Sequence, residues 1–274
     1  MSCKDNNYIC DMKALVFAAG LGTRLGEITK EIPKALVPVG GVPMLERVLG
    51  KLSAAGFGEA VVTVCYKADR IREWLASGPV PGIEVSLSIE PGPEPFETGG
   101  GIKFARPLLD DGRPFLAHNV DILSDADLAE FVNSGLDALL PTGALAALLV
   151  TNPRPEDDRF FLFDPADMRL RGWANTRTGE VRGCVKGAEG APADAPDASD
   201  LRRMSFCGIH LISPAIFPLM EDWPERFSIT DLYIAEAARR PIYGIPAPEG
   251  FRIIDIGSPE TLAEAELTIP RTRP

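Results

Sequence analysis

The chain is poor in several features that would assign it to a particular class of proteins. It has only five cysteines among its 274 residues, at positions 3, 10, 65, 184 and 207, and none of them belongs to a CxxC pair. Their odd number and wide spacing argue against both a disulfide framework and a zinc site of ordinary ligand spacing. We therefore expect ordinary thiols.

Long apolar runs and basic clusters are also missing. The longest apolar runs, such as residues 144–150, fall far short of the roughly 20 residues that span a bilayer. The polar start MSCKDNNYIC has no hydrophobic segment of the signal-peptide kind. Lys and Arg number 28 against 39 Asp and Glu, a formal net charge of −11, and no basic run could follow a phosphate backbone. These absences predict a cytoplasmic protein without nucleic-acid or membrane partners, and they leave its oligomeric state open.

Short apolar segments alternate with segments of helical periodicity along much of the chain. Strands are predicted at residues 12–17, 59–64, 83–89 and 114–118, and helices at 43–55 and 102–108. Short strands joined by helices predict an α/β fold with a parallel sheet. SDAD at 124–127 and SPE at 258–260 have the composition of helix starts.

The periodic pattern becomes irregular between residues 153 and 203. Within it, GAEGAPADAPDASD at 187–200 is rich in Ala, Pro and Asp and has no period, which predicts a mobile surface loop. No internal repeat and no linker divides the chain. We therefore expect one domain over residues 1–274, with an irregular insert at about 153–203.

The stretch AAGLGTRLG, residues 18–26, follows the first predicted strand and combines small residues with a cation. A GxGxxG dinucleotide fingerprint fails at Leu25, and a P-loop fails because Thr and Arg follow Gly22 where Gly-Lys-Ser/Thr would be needed. What remains is backbone that can approach an anion closely, with Arg24 and Lys34 available to neutralise it. Spacing alone leaves open whether this loop binds a polyphosphate or only forms a tight turn.

The longer pattern AAGLGTRL followed by PKALVPVGGVPMLERVL resembles the signature of the sugar-1-phosphate nucleotidyltransferases, and the resemblance extends from about Met12 to Glu266. It implies a Rossmann-like, mixed but mainly parallel sheet flanked by helices. It also implies that a sugar 1-phosphate attacks the α-phosphorus of a nucleoside triphosphate and releases pyrophosphate. Arg24 and Lys34 match the family's signature arginine and lysine. The nucleotide contacts that it implies in the loop are Ala19, Gly20, Gly22 and Thr23.

Two aspartates end predicted strands, Asp121 in FLAHNVDIL and Asp255 in FRIIDIGSP. Because ligands of open α/β sheets bind beyond the carboxyl ends of strands, both side chains could reach one site. Either aspartate taken alone is more typical of a capped turn. The resemblance implies that the pair binds Mg²⁺, a hard cation that prefers carboxylate oxygens.

Further motifs extend the resemblance to one branch of the family. ETGGGI, LLVTNP, SFCGIHLISPAIF and IDIGSPETLAEAE are similar to the short uridylyltransferases that act on N-acetylmuramate α-1-phosphate in peptidoglycan recycling. They imply UTP and that sugar phosphate as substrates, with mannose-1-phosphate guanylyltransferase and phosphocholine cytidylyltransferase as alternatives. Candidate nucleotide contacts here are Glu97, Gly99, Gly100 and Asn119, and candidate sugar contacts are Asn152, Lys186 and Ser205.

Specific reasons support some of these candidates. Three consecutive glycines at a helix start offer bare backbone on which a flat base could lie. The lactyl carboxylate of muramate needs a cation, and the insert offers Arg171, Arg177, Arg182 and Lys186.

Two other classes of function remain as hypotheses. An NAD-dependent oxidoreductase would need an acidic residue at the end of the second strand, where this chain has Val64 to Lys67. A catalytically silent nucleotide sensor is a second alternative, because a fold does not establish an activity. The two histidines, His118 and His210, lie in apolar segments and are expected in the core rather than at a metal.

Overall fold

The computed structural model of the chain describes residues 7–78 and 80–268, so the prediction for Cys3 lies outside the described residues. Its strands are β1 Lys13–Phe17, β2 Pro38–Val39, β3 Val42–Pro43, β4 Glu59–Val64, β5 Glu84–Ile89, β6 Phe115–Asn119, β7 Ile122–Ser124, β8 Ala146–Thr151, β9 Arg159–Phe163, β10 Leu170–Asn175, β11 Glu180–Gly183, β12 Arg202–Ile212, β13 Ile242–Pro246 and β14 Ile253–Asp255. Its helices are α1 Asn7–Cys10, α2 Glu27–Glu31, α3 Met44–Ala54, α4 Ala68–Ala76, α5 Glu97–Leu109, α6 Leu128–Thr142, α7 Ile216–Leu219, α8 Ile229–Glu236 and α9 Pro259–Thr268. None of these helices is both long enough and apolar enough to cross a membrane.

One mixed sheet organises the described part of the chain. Strands β5, β4, β1 and β6 run parallel to one another. Antiparallel β12 then joins β6 to β8 and to β9, and β10 and β11 continue the sheet beyond β9. The parallel strand β13 extends it beside β8. The predicted mixed sheet flanked by helices is therefore confirmed.

The two faces of the sheet are covered by different helices. Along β1, Ala14 and Val16 belong to one apolar core, whereas Leu15 belongs to the other. Helices α3 and α6 contribute to the first core, and α5 and α8 to the second. Both histidines are buried in β6 and β12, as predicted, and burial lowers the pKa of His210 to about 3.

The predicted strand positions agree with the structure to within a residue at each end, but the helix predicted at 102–108 begins earlier, at Glu97. Its three glycines had indicated a loop, because glycine disfavours helix. Tertiary packing overrides that preference, since a Cβ on Gly99 would lie 2.3 Å from the Phe227 ring and one on Gly100 would lie 2.0 Å from the Glu225 carbonyl oxygen. The glycines allow the segment at 225–227 to cross the first turn of α5.

Helices begin at both predicted starts, but in SDAD the capping residue is Asp127 rather than Ser124. Ser124 is the last residue of β7, and Asp127 caps α6 by accepting a hydrogen bond from the Glu130 N–H at 3.0 Å. The start predicted at Ser258 is confirmed, since its Oγ accepts from the Thr261 N–H at the beginning of α9.

The irregular insert predicted at 153–203 contains three regular strands, β9, β10 and β11, in an antiparallel meander. The prediction failed because β9, with the sequence RFFLF, is apolar on both faces and shows no alternation. Phe161 and Phe163 belong to one apolar cluster and Leu162 to another. Residues 184–201 form no strand, and their structure is a series of turns with one 3₁₀ turn at Ala198–Asp200.

Two helical glycines provide a test of the packing on α5. We expect Gly100→Ala to lower the free energy of unfolding by about 1–3 kcal/mol or more, because its Cβ would meet backbone that cannot rotate away. Gly50→Ala in α3 is the matched control, since nothing lies within 4 Å of its added Cβ. Gly50→Ala should raise the free energy of unfolding by up to about 1 kcal/mol, because alanine favours helix over glycine. Equal effects in urea unfolding would contradict the described packing.

Candidate active site

The carboxyl ends of two parallel strands place the glycine-rich loop beside Asp121. In the β1–β6 pair, Phe17 lies opposite Asn119, and the Val120 N–H donates to the Phe17 carbonyl oxygen at 3.2 Å. The chain therefore leaves both strands at one edge of the sheet, into the loop at 18–26 on one side and into Asp121 on the other.

A separate two-stranded ribbon brings Asp255 to the same edge. Strands β7 and β14 pair in antiparallel fashion, with Asp255 opposite Ile122. The Ile256 N–H also donates to the Asp121 carbonyl oxygen at 2.9 Å. The two aspartates, which come from distant parts of the chain, are thus fixed side by side by backbone hydrogen bonds. We call this pair of strands the β7–β14 ribbon.

Lys34 neutralises one of the two carboxylates directly. Its ammonium group forms an ion pair with Asp121 Oδ2, and both side chains are mostly buried. Gly22 makes this arrangement possible, because its backbone is left-handed (φ +66°) and a Cβ there would lie 2.8 Å from Thr29 Cγ2 and 3.0 Å from Lys34 Cβ. The Thr29 hydroxyl donates to the Gly22 carbonyl oxygen at 3.0 Å and fixes the loop against Lys34.

The negative charge of Asp255 is only partly offset by the positive charges near it. Burial raises the pKa of its carboxyl group, and the neighbouring Asp121 charge raises it further, whereas Lys34, Arg24 and Arg154 act in the opposite direction. Its Oδ1 is buried and has no hydrogen-bond partner. A buried carboxylate oxygen without a donor is costly, so Asp255 has an unfilled acceptor at the centre of the site.

The Arg24 side chain packs against bare backbone next to this acceptor. It begins in the 3₁₀ turn Thr23–Leu25, and a Cβ on Gly257 would lie 2.7 Å from Arg24 Nη2. The guanidinium group therefore lies flat against the chain just beyond Asp255. A cavity of about 510 Å³ adjoins it, lined among others by Arg24, Arg154, Asp255 and Gly257.

The chemistry of these groups fits a hard divalent cation. Asp121 and Asp255 supply carboxylate oxygens, and one of these oxygens has no other partner. Within residues 7–78 and 80–268, no three His, Cys, Asp or Glu side chains form a group that could hold a metal ion. Mg²⁺ is commonly held by one or two carboxylates and completed by water and substrate phosphates. The pair is therefore suited to a cation shared with a phosphate-bearing substrate.

The structure brings four predicted residues together at this point: Arg24, Lys34, Asp121 and Asp255. The loop residues Ala19, Gly20, Gly22 and Thr23 lie on the adjacent turn. Asn119 ends β6 and packs closely on Gly208, where an added Cβ would lie 2.8 Å from Asn119 Nδ2.

Two predicted sugar contacts lie on neighbouring antiparallel strands. Asn152 follows β8, and its Oδ1 accepts from Arg202 Nη2 at 3.5 Å. Ser205 lies in β12 and donates to Asp157 Oδ2 at 2.6 Å. Asp157 and its neighbours line the cavity beside Asp255, so Ser205 contacts one wall of that cavity.

The sequence predicted that the nucleotide base lies on bare backbone at Gly99 and Gly100, but the structure shows that this backbone is covered. Both N–H groups donate to the Phe227 carbonyl oxygen, at 2.9 and 3.2 Å, and chain segment 225–227 covers the backbone. Glu97 has a positive φ of 62° and forms an ion pair with Arg226 at 3.2 Å. These residues build the start of α5 rather than exposing bare backbone.

The four basic residues that the insert offers for a substrate carboxylate all have protein partners. The Lys186 ammonium group, 66% exposed, lies 3.3 Å from Asp197. The other three ion pairs join Arg171 to Asp164, Arg177 to Asp158 and Arg182 to Asp231.

Sequence reasoning missed Arg154, which lies in the cavity with Arg24 and Asp255. Its Nη2 is 3.0 Å from Asp157 Oδ1, and its backbone N–H donates to Asp157 Oδ2 at 2.9 Å. The pKa of the Asp157 carboxyl group is lowered overall. Burial acts to raise it, but hydrogen bonds from Arg154 and Ser205 outweigh that effect. An arginine directly after TNP at the end of a strand was the available signal.

Glu90 was also missed, although it follows the parallel strand β5. It is 3% exposed, and its Oε2 accepts from the Phe96 N–H at 2.7 Å, whereas Oε1 is buried without a partner. Burial raises the pKa of this carboxyl group. Glu90 fixes the loop that leads into α5, and the signal for it was an acidic residue at a strand end.

Known proteins resemble this chain over most of its length. Residues 13–156 match the family described as Nucleotidyl transferase. An N-acetylmuramate alpha-1-phosphate uridylyltransferase of Caulobacter vibrioides is 32% identical over 254 residues, which cover 92% of this chain and 95% of that protein. A protein of the same description from Neisseria meningitidis serogroup B is 37% identical over 169 residues, covering 61% of this chain and 71% of that protein.

The fold also occurs among solved structures. HddC from Yersinia pseudotuberculosis, complexed with GMP-PN, superposes with a TM-score of 0.68 at 23% identity, covering 94% of this chain and 99% of that one. At that identity the likeness concerns the fold.

The electrostatics of the site predict opposite effects of two Asp→Asn changes on stability. A carboxyl group with a raised folded-state pKa lowers stability once the pH exceeds its unfolded-state value of about 4. In metal-free protein at pH 7, Asp255→Asn should therefore raise the free energy of unfolding, and the gain should shrink as the pH falls toward about 4.

Asp157→Asn is the matched control, because its pKa is lowered and its charge contributes stability above the unfolded-state value. It should reduce the free energy of unfolding at pH 7, and the loss should diminish as the pH falls. Urea unfolding at both pH values measures the two effects. The same sign for both variants at pH 7 would contradict the assigned electrostatics.

Proposed function

The chain belongs to the nucleotidyl transferase family, and from that premise we propose that it transfers a nucleotidyl group from a nucleoside triphosphate to a sugar 1-phosphate. The observation that carries this proposal is the cluster of two cations and two adjacent carboxylates at the sheet edge. Cations suit the polyphosphate, and a pair of carboxylates suits its metal ion.

In the proposed reaction, a phosphate oxygen of the sugar 1-phosphate attacks the α-phosphorus of the triphosphate. The bond between the α-phosphorus and the bridging oxygen breaks, and pyrophosphate leaves with that electron pair. Phosphoryl chemistry of this kind is accelerated mainly by positioning and by charge stabilisation. The planar fork of Arg24 suits two phosphate oxygens, and Lys34 supplies a compact charge beside Asp121.

We propose Mg²⁺ as the metal, held by Asp121 and Asp255. When bound, it neutralises phosphate oxygens and orients the triphosphate. Asp255 supports this assignment because its Oδ1 is a buried acceptor with no donor from the described residues. Asp121 contributes the second carboxylate and keeps its position through the ribbon backbone.

Activity should depend on this pair of carboxylates and on a hard cation. Asp121→Asn and Asp255→Asn keep side-chain size and remove charge, so each should lower kcat at least about 100-fold. A chelator should abolish turnover, and added Mg²⁺ should restore it. Asp137→Asn, an exposed position in α6, is the control that should turn over normally. Pyrophosphate release measures each of these cases, and full activity in the chelator would refute the metal assignment.

We propose UTP and N-acetylmuramate α-1-phosphate as the substrates. The two relatives described above are N-acetylmuramate alpha-1-phosphate uridylyltransferases, and the motifs ETGGGI, LLVTNP, SFCGIHLISPAIF and IDIGSPETLAEAE resemble that branch of the family. Nucleoside triphosphates are cytoplasmic metabolites, so the proposed reaction belongs in the cytoplasm. If the sugar phosphate is recovered from the cell wall, the reaction belongs to peptidoglycan recycling.

A substrate panel tests that assignment. UTP, GTP, CTP and dTTP are each combined with muramate, glucosamine, mannose and glucose 1-phosphates, the first two as their N-acetyl forms. We expect the highest kcat/KM for UTP with N-acetylmuramate 1-phosphate. A preference for GTP with mannose 1-phosphate would instead support the guanylyltransferase alternative, and no turnover of any pair would support a silent nucleotide sensor.

Arg154 is the residue that we propose for the lactyl carboxylate of muramate. It lines the cavity that also contains Arg24 and Asp255, whereas Arg171, Arg177, Arg182 and Lys186 do not line that cavity. The hydrogen bonds that Arg154 Nε and Nη2 donate to the Asp157 carboxylate fix the guanidinium group in one orientation. A fixed guanidinium group recognises a carboxylate better than a mobile one, because less side-chain entropy is lost on binding.

The role of Arg154 can be separated from that of Lys186. Arg154→Gln should lower the preference for N-acetylmuramate over N-acetylglucosamine 1-phosphate by about 1–3 kcal/mol, roughly 5- to 150-fold in the ratio of kcat/KM. Lys186→Gln is the comparison variant and should leave that ratio unchanged. If Lys186→Gln abolishes the preference and Arg154→Gln does not, the carboxylate binds at Lys186 rather than at Arg154.

A further inference from the structure

A second cavity lies against the β7–β14 ribbon. It has a volume of about 380 Å³ and is lined by residues of helix α3, β6 and the ribbon. Its volume is within the range of small-molecule sites. We call it the ribbon cavity. Two ribbon residues, Ile253 and Ile254, line both this cavity and the one beside Asp255.

A buried ring nitrogen without a partner lines the ribbon cavity. His118 is 1% exposed, and its Nδ1 lies 2.7 Å from the Asn119 carbonyl oxygen, which can only accept a hydrogen bond. Burial lowers the pKa of His118 to about 4, so the ring is neutral at pH 7. Nδ1 therefore carries the proton, and Nε2, which has no partner, is an acceptor. A ligand here would be expected to donate a hydrogen bond.

Two cations from α3 lie beside this acceptor. Lys51 Nζ donates to the Ser124 carbonyl oxygen at 2.7 Å, and Arg47 Nε donates to the Val39 carbonyl oxygen at 3.0 Å. Neither forms an ion pair with an acid of the described residues. Burial lowers the pKa of Lys51 to about 8, although Asp125 and Asp127 act in the opposite direction. The third cation of the cavity, Arg252, is already paired with Asp125 at 3.0 Å.

Besides Ser124, Asp125 and Thr268, the rest of the lining is apolar and comes mostly from the ribbon. Val48 of α3 and Ile122 and Leu123 of β7 contribute to it, together with the two isoleucines of β14. Apolar walls with a few convergent polar groups are typical of sites for small organic ligands. A bare inorganic anion would leave these walls without a contact.

We propose that the ribbon cavity is a second ligand site, for a small organic anion that has an apolar body and a hydrogen-bond donor. Its acidic group pairs with Lys51 and Arg47, its donor binds His118 Nε2, and its body packs on the ribbon. Because Asp121 and Asp255 are held by the same ribbon, the occupant changes the rate of nucleotidyl transfer. The binding step stands independently, and only the effect on rate rests on the proposed function.

Binding is tested on the full chain with 8-anilinonaphthalene-1-sulfonate, a fluorescent anion with two apolar ring systems and a secondary amine. We expect saturable binding of one molecule, weakened at least about 5-fold in Lys51→Gln. Lys103→Gln is the matched control, because Lys103 also donates to backbone carbonyl oxygens, those of Glu221 and Trp223, but beside α5. It should bind the dye like the unaltered chain.

Competition distinguishes the ribbon cavity from the active site. Saturating UTP with Mg²⁺ should leave the dye bound, and inorganic phosphate should displace it poorly. Displacement by UTP, equal affinity in Lys51→Gln, or the absence of saturable binding would overturn the site.

The effect on rate is measured separately, as pyrophosphate release at saturating dye. The dye should change the rate of the unaltered chain and of Lys103→Gln at least about 2-fold, and should leave that of Lys51→Gln unchanged. An unchanged rate in an active enzyme that binds the dye would overturn the coupling. An enzyme that binds the dye but transfers no nucleotide would instead contradict the proposed function.

Discussion

The pairing of β7 with β14 is the constraint on which the site depends. It places two carboxylates from distant parts of the chain side by side, although their charges repel each other, because backbone hydrogen bonds fix their positions. Holding the two carboxylates together is unfavourable for Asp255. Its pKa is raised by burial and by Asp121, and its Oδ1 has no hydrogen-bond partner. A cation shared by both carboxylates would relieve both effects.

The surrounding residues place positive charges beside the two carboxylates and so reduce their repulsion. The left-handed turn at Gly22 lets Lys34 reach Asp121, and the missing side chain at Gly257 lets Arg24 lie against the backbone beside Asp255. Arg154 adds a third positive charge from the antiparallel side of the sheet. Proteins commonly retain destabilising electrostatics where function requires them. Ile253 and Ile254 of the same ribbon also line the second cavity, which is the basis of the coupling proposed between the two sites.

Much of the fold and of the candidate site could be predicted from local sequence signals. The remaining features depend on packing between distant parts of the chain. The strands around the phosphate loop, the cap at Ser258 and the four charged residues at the sheet edge follow from periodicity, turn chemistry and resemblance. The helix that begins at Glu97 does not, because its glycines are explained only by segment 225–227 passing over them. Strand β9 was missed for a related reason, since a strand covered on both faces has no alternation to detect.

The most direct measurement of the central claim is a Mn²⁺ titration followed by electron paramagnetic resonance, with a non-hydrolysable UTP analogue present. Mn²⁺ substitutes for Mg²⁺ at oxygen sites. The arrangement of Asp121 and Asp255 predicts one protein-dependent Mn²⁺ site, with affinity at least about 10-fold lower in Asp255→Asn, a loss comparable to that of other ligand-sphere changes. Equal Mn²⁺ affinity in Asp255→Asn and in the unaltered chain would contradict the claim that the ribbon exists to hold a shared cation.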